Sequence, residues 1–454
     1  MPPLHSSTNP TVRSVFPFVV FFLAAIYTGF LEKVPFLSHL HVLTLVGGLA
    51  LIAVAVGGRL SVVIRNPISK SLVLFTAWLV LCIPFAVWRG GSADLFINVW
   101  SKSVLTFLLV AGCILTIDQC KTVFATIGYS VGILAIMTLA LRGQDKSGRL
   151  GLVGTRYENA NDFAWTLILG LSFLGFLLQH GSRWQRFMAL FLSVPILLAL
   201  VKTGSRGGMV GLGMLAIFAF LQGSRRVKIR LALAIPLAVA LLVAVAPQQI
   251  LSRYTTLFGT GINADTAPTL STEERNLLVA AAASAEQRLQ ILKDSISMTM
   301  AHPLFGVGPN NFPVAQNDLA IARGQERGGW VVTHNTYTQI SSEMGIPGLV
   351  LYLVFLYRCF KPLNSIVRTR HPGRTWQELH GLAKSLRASL VVLLTIALFD
   401  SYGYDPNILI LAGLSCALTL IAQRHHALLI ASPQVPPAGL TPEPALNAAR
   451  MSFQ

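Results

Sequence analysis

About twelve apolar runs, each long enough to cross ~30 Å of hydrocarbon, succeed one another along this chain and are parted at length only once. No water reaches a peptide N–H or C=O inside a bilayer, so such runs must close their hydrogen bonds within themselves, as helices. The runs are Val15–Leu31, His39–Gly57, Ser71–Trp88, Ser101–Ile117, Phe124–Leu141, Phe163–Gln179, Arg186–Val201, Gly207–Gln222, Leu231–Ala246, Ile346–Phe360, Leu386–Phe399 and Pro406–Ala422. The expected fold is therefore an all-α integral membrane protein of about twelve transmembrane helices, with a helical segment outside the bilayer between helices nine and ten. Residues 1–246 carry the first nine spans, 247–345 the outer segment, 346–431 the last three spans, and 432–454 a proline-rich, disordered tail. A hydrophobic fraction of 53% against 12% charged residues excludes an ordinary soluble globule.

A net charge of +17 invites a nucleic-acid reading, which its distribution removes. With the N-terminus in the cytoplasm and spans alternating, 20 of the 35 basic residues fall inside, including Arg225, Arg226, Lys228, Arg230 and the group from Arg358 to Arg387. Only Asp118, Glu378 and Glu443 accompany them, and the outer basic and acidic residues cancel. The excess is a topology signal, and no nucleic-acid partner is expected. It places both termini in the cytoplasm and Pro247–Gly345 on the outer, periplasmic side. Five cysteines lie in or beside the spans and none in the outer segment, so neither a disulfide framework nor a cysteine metal site is supported. The histidines do not cluster at metal spacing; His39 and His41 flank a helix end and His425-His426 the inner tail.

Within the outer segment, Ser271-Thr-Glu-Glu274 has the form of a capping box. Leu278, Ala281, Ala285, Leu289, Leu292 and Ile296 then recur at helical spacing, predicting an amphipathic helix against the bundle or the membrane surface. It should end at His302-Pro303, where proline cannot continue the ladder. Pro303–Asn311 reads as a turn-rich link, and the inner loop Lys361–Arg387 as non-catalytic.

Few residues carry chemistry. Arg206, in Lys202-Thr-Gly-Ser-Arg-Gly-Gly208, stands where span eight begins on the outer side. An arginine there either snorkels or lines a hydrated cavity. Lys202 beside it, with no acid close in sequence, favours a site for phosphate or pyrophosphate. Arg288 shares a helix face with residues 284, 291 and 295; it points across the seam to the bundle or pairs on the surface with Glu286 or Asp294. His334 sits among Thr333, Asn335, Thr336 and Tyr337, a polar setting in which imidazole can take a proton from a hydroxyl. Glu343, nine residues on, is poorly placed to orient it. Gly345 would open span ten, and a helical His334–Gly345 would span ~16 Å. Asn159 and Asn161 precede span six and either cap it, the favoured reading, or bind a sugar; Arg142 and Arg156 in the same loop are further candidate substrate contacts. No metal-binding motif and no cofactor-binding motif appears.

These residues resemble the O-antigen ligase and polymerase superfamily of bacterial inner-membrane glycosyltransferases. The resemblance rests on Asn159-Ala-Asn161, on Thr203–Gly208, on Arg288 with the run His302–Phe312, and on His334 with Gly345, all between Arg142 and about Phe360. It implies a GT-C-like membrane enzyme whose donor is an undecaprenyl-pyrophosphate-linked glycan, used on the periplasmic face without metal or cofactor. The acceptor would be a sugar hydroxyl of lipid A–core in a ligase, or another lipid-linked repeat unit in a polymerase. His334 then resembles the general base, and Arg206 and Arg288, with Lys202 beside them, the pyrophosphate site. One dominant outer segment favours the ligase. A transporter of the same lipid-linked glycan is the rival from another class, but neither inverted repeats nor broken helices at mid-membrane are evident.

Overall fold

The structure, a computed structural model, describes residues 10–431 except 35, 37–41, 145–147, 234–235, 237–271, 327–328 and 370–372. Its principal helices are α1 (Pro10–Thr28), α2 (Val42–Val56), α3 (Pro67–Cys82), α4 (Arg89–Cys113, with a π turn at Phe96–Trp100), α5 (Ile117–Leu141), α6 (Ala160–His180), α7 (Arg183–Lys202), α8 (Arg206–Gln222), α9 (Thr272–Ala301), α10 (Phe312–Ala322), α11 (Thr336–Arg368), α12 (Arg374–Ile396) and α13 (Pro406–Ala431). Among the described residues, eight helices are long and apolar enough to cross a membrane, and Val12–Thr28, Val42–Val56 and Arg206–Gln222 are shorter apolar helices. Eleven of the expected runs fall on these helices. The other, Leu231–Ala246, lies almost wholly outside the described residues, as do His39, His41, the cap at Ser271 and the tail 432–454. The protein is a multi-pass helical membrane protein.

Local chemistry sets the helix ends. Thr116 with Gln119 and Ser182 with Gln185 form capping boxes for α5 and α7, and Asn159, Ser205 and Asn335 cap α6, α8 and α11. Each cap answers N–H groups that the helix leaves orphaned. The core is continuous through the bundle, with Trp100, Phe107, Phe163, Trp165 and Phe173 fully buried. α6 packs on α5, α7, α8 and α12, and α8 lies along α12. The approach is close because Gly211 has no Cβ: one there would meet Ile396 Cγ1 at 2.7 Å and Ile168 Cδ1 at 3.2 Å.

Four expectations need correction. Span ten does not begin at Gly345: α11 begins at Thr336, and Gly345 is a kink within it (φ 70°, ψ −177°). That conformation is essentially reserved for glycine, and a Cβ would strike the Leu304 carbonyl. The link 303–311 folds over the kink, with Val307 N donating to Ser342 O, Gly308 N to Glu343 O and Ile346 N to Pro303 O. The helical His334–Gly345 also fails, since His334 is left-handed at φ 51° and lies outside the helix. Finally, Leu289 and Ile296 face outward from α9, while Ile291, Asp294, Ser295 and Met298 are buried. The buried face is polar because Asp294 is paired with Arg323 at 2.8 Å, and Thr299 meets the Ser341 hydroxyl at 2.9 Å. The stretch expected as an inner loop is mostly helix, the ends of α11 and α12.

Candidate functional site

Hydrogen bonds gather the connections at one end of the bundle. Leu150 N reaches Lys202 O, Val87 N reaches Val307 O, and Thr336 N reaches Ala397 O. Lys33 Nζ donates to Val153 O, and Ser92 Oγ to Pro309 O. The loops expected outside thus meet at the His334 end. The basic ends meet elsewhere, where Lys121 pairs with Glu378 at 2.6 Å and Arg387 bonds Asn364 and Gln222.

At the His334 end lies a small open cleft lined by Asn161, Arg206, Arg288, Asp400, Tyr402 and Phe399, with the first turn of α8 at Gly207 and Gly208. Ser205, which also lines it, caps α8 by accepting from Gly208 N at 3.1 Å. Arg206 therefore stands at the positive end of a helix dipole, a setting that favours an anion. A Cβ on Gly207 would lie 3.1 Å from Phe399 Cβ, so the small residue lets the loop after α12 close on α8. Arg288 comes from α9, more than eighty residues away in sequence, and reaches the cleft because its helix face continues into the buried Ile291 and Ser295. Asp294 is occupied by Arg323 instead. Among the described residues no carboxylate lies within ion-pair distance of Arg288.

His334 joins the cleft through Asp400. Its Nδ1 lies 3.6 Å from Asp400 Oδ1, within ion-pair reach though longer than a good hydrogen bond. The two segments that carry them are laced together. Thr336 Oγ1 donates to Asp400 O and accepts from Tyr402 N, both at 2.8 Å, and Thr333 Oγ1 meets Ser401 Oγ at 2.7 Å. Ser401 N donates to Asp400 Oδ1 at 2.9 Å, fixing the carboxylate. Burial, with Asp400, Asp162 and Asp405 nearby, pushes the Tyr402 phenol well above its ordinary range. Burial likewise raises Asp405 to about 6, partly offset by its bonds from Asn407.

The other sequence candidates separate. Asn159 is the cap of α6, its Oδ1 accepting from Asn161 N at 2.8 Å, whereas Asn161 lines the cleft. Lys202 is exposed and is absent from the lining. Arg156 pairs with Glu32 at 2.6 Å, and Arg142 is exposed in a left-handed turn ending α5. Neither lines the cleft. Sequence reasoning missed Asp400, Tyr402, Ser205 and Arg149; the one available signal was an acid directly after an apolar run, at the end of the bundle where His334 was expected. Among the described residues no group of three or more His, Cys, Asp or Glu side chains could hold a metal ion.

Residues 188–353 match the family model described as O-antigen ligase, a stretch that contains Arg206, Arg288 and His334 but not Asn161 or Asp400. No curated protein matches the chain.

Proposed function

We propose that this chain, whose residues 188–353 match the O-antigen ligase family model, is a member of that superfamily and transfers a glycan from undecaprenyl pyrophosphate to a sugar hydroxyl of lipid A–core, on the periplasmic face of the bacterial inner membrane. One observation carries the reading: Arg206 and Arg288, far apart in sequence, line one cleft together with Asp400, the partner of His334.

The chemistry follows from what these groups offer. Arg206 and Arg288 bind the diphosphate and stabilise the charge it gains as the bond from sugar C1 to the phosphate oxygen breaks. His334, its Nδ1 turned to Asp400, takes the acceptor's hydroxyl proton at Nε2 as the oxygen bonds to C1. The diphosphate leaves as an anion that needs no protonation, so neither a general acid, nor a metal, nor a cofactor enters this account. The basic opposite end is the cytoplasmic one, by the excess of lysine and arginine there.

The polymerase remains the second reading, and one feature favours it: the loop carrying Arg149 bonds to Asn161 in the cleft. A strain lacking the protein separates the two. Under the ligase reading, long glycan chains persist and lipid A–core carries none of them. Lipid A–core bearing single repeat units instead would mark a polymerase, and an unchanged profile would remove both readings.

A further inference from the structure

Asn161 stands in the first turn of α6, with its amide held in one orientation. Its Oδ1 accepts from Arg149 Nη2 at 2.7 Å and from Ser205 Oγ at 2.9 Å. A guanidinium has only donors, so the amide oxygen must face Arg149 and the group cannot be turned round. Ser205 Oγ already accepts from Gly208 N, so its own proton goes to Asn161. Arg149 is clamped in turn, since its Nε donates to Thr203 O at 2.7 Å. The opposite pole of the amide, Nδ2, carries two N–H donors, and no hydrogen bond from it to any described residue is formed. Those donors belong to a side chain that lines the cleft beside Arg206 and Arg288.

We propose that Arg149 is a positioning residue for donor binding: it locks Asn161 so that Nδ2 donates to an anionic oxygen of the diphosphate held by the two cleft arginines. The inference rests on reading the cleft as a diphosphate site. Phosphate oxygens only accept, and two fixed donors next to guanidinium groups complement them. The turn Thr203–Ser205, the start of α6 and the loop bearing Arg149 thereby form one unit with the start of α8.

Asn161→Asp tests this without changing shape. Its carboxylate still accepts from Arg149 and Ser205, but an acceptor oxygen replaces the two donors. Inhibition of transfer by inorganic pyrophosphate and the KM for lipid-linked donor should both weaken about tenfold or more, with kcat at saturating donor changed less. Arg149→Gln frees the amide and should raise the donor KM, yet add nothing in the Asn161→Asp background. A wild-type pyrophosphate Ki in Asn161→Asp overturns the proposal. So does an Arg149→Gln protein that is merely less abundant, with its KM unchanged. Arg206→Lys, measured alongside, separates the two levels. If it weakens pyrophosphate inhibition while Asn161→Asp does not, only this inference fails; if neither does, the diphosphate reading of the cleft fails as well.

Discussion

Replacing His334 by alanine should lower kcat at least about a hundredfold while the KM for lipid-linked donor stays within about twofold of wild type. The expectation follows from a division of labour. The arginines hold the diphosphate from α8 and α9, and His334 lies on a separate segment tied to the loop after α12 by Thr333, Thr336 and Asp400. Removing the imidazole takes away the proton acceptor and leaves the anion site standing. His334→Gln keeps a hydrogen-bonding group but cannot hold the proton, so it should be nearly as impaired. Asp400→Asn should fall between, because the imidazole keeps its place but its Nδ1 loses the carboxylate it faces at 3.6 Å. Steady-state rates with saturating donor check all three. An alanine variant at wild-type rate removes His334 from the mechanism, and one that has lost donor affinity makes it a substrate ligand.

Arg206→Lys and Arg288→Lys should each reduce kcat/KM by roughly ten- to a hundredfold, with the folded amount preserved. Lysine keeps the charge but not the planar fork that spans two phosphate oxygens. The folded state should tolerate both changes. Ser205 caps α8 through its own hydroxyl whatever follows it, and α9 is anchored by the Asp294–Arg323 pair and by Ile291 and Met298. Activity per folded molecule in detergent is the quantity to compare. If both lysine variants turn over like wild type, neither arginine makes a geometrically specific phosphate contact.

The membrane helices were legible because lipid leaves an apolar run of that length almost no alternative to a helix. Arg288 was half legible: its face was readable from residues 291 and 295, but whether that face met the bundle was not. The stripe chosen for the buried side of α9 failed at Leu289 and Ile296, since hydrophobic spacing cannot foresee that Asp294 is buried with Arg323, a contact across the link and α10. Asp400 escaped because its relation to His334 crosses 66 residues and is set by hydroxyls of threonine and serine, which carry no signature in sequence. Arg149 escaped for the same reason: its meaning lies in Asn161 and Thr203, which only the folded chain brings to it. Lys202 looked equal to Arg206 in sequence, yet it ends α7 while Arg206 starts α8, and only the latter lines the cleft.

Arg206, Arg288 and His334 should together drive bond formation from a diphosphate-linked glycan to lipid A–core without metal. Purified protein given lipid-linked glycan and lipid A–core, in excess chelator, tests it most directly by paired measurement of glycosylated lipid A–core and released undecaprenyl pyrophosphate. One diphosphate should be released for each glycan joined, at a rate the chelator leaves unchanged. Activity lost with chelator and restored by Mg²⁺ or Mn²⁺, or diphosphate released only as donors join to one another, would contradict it.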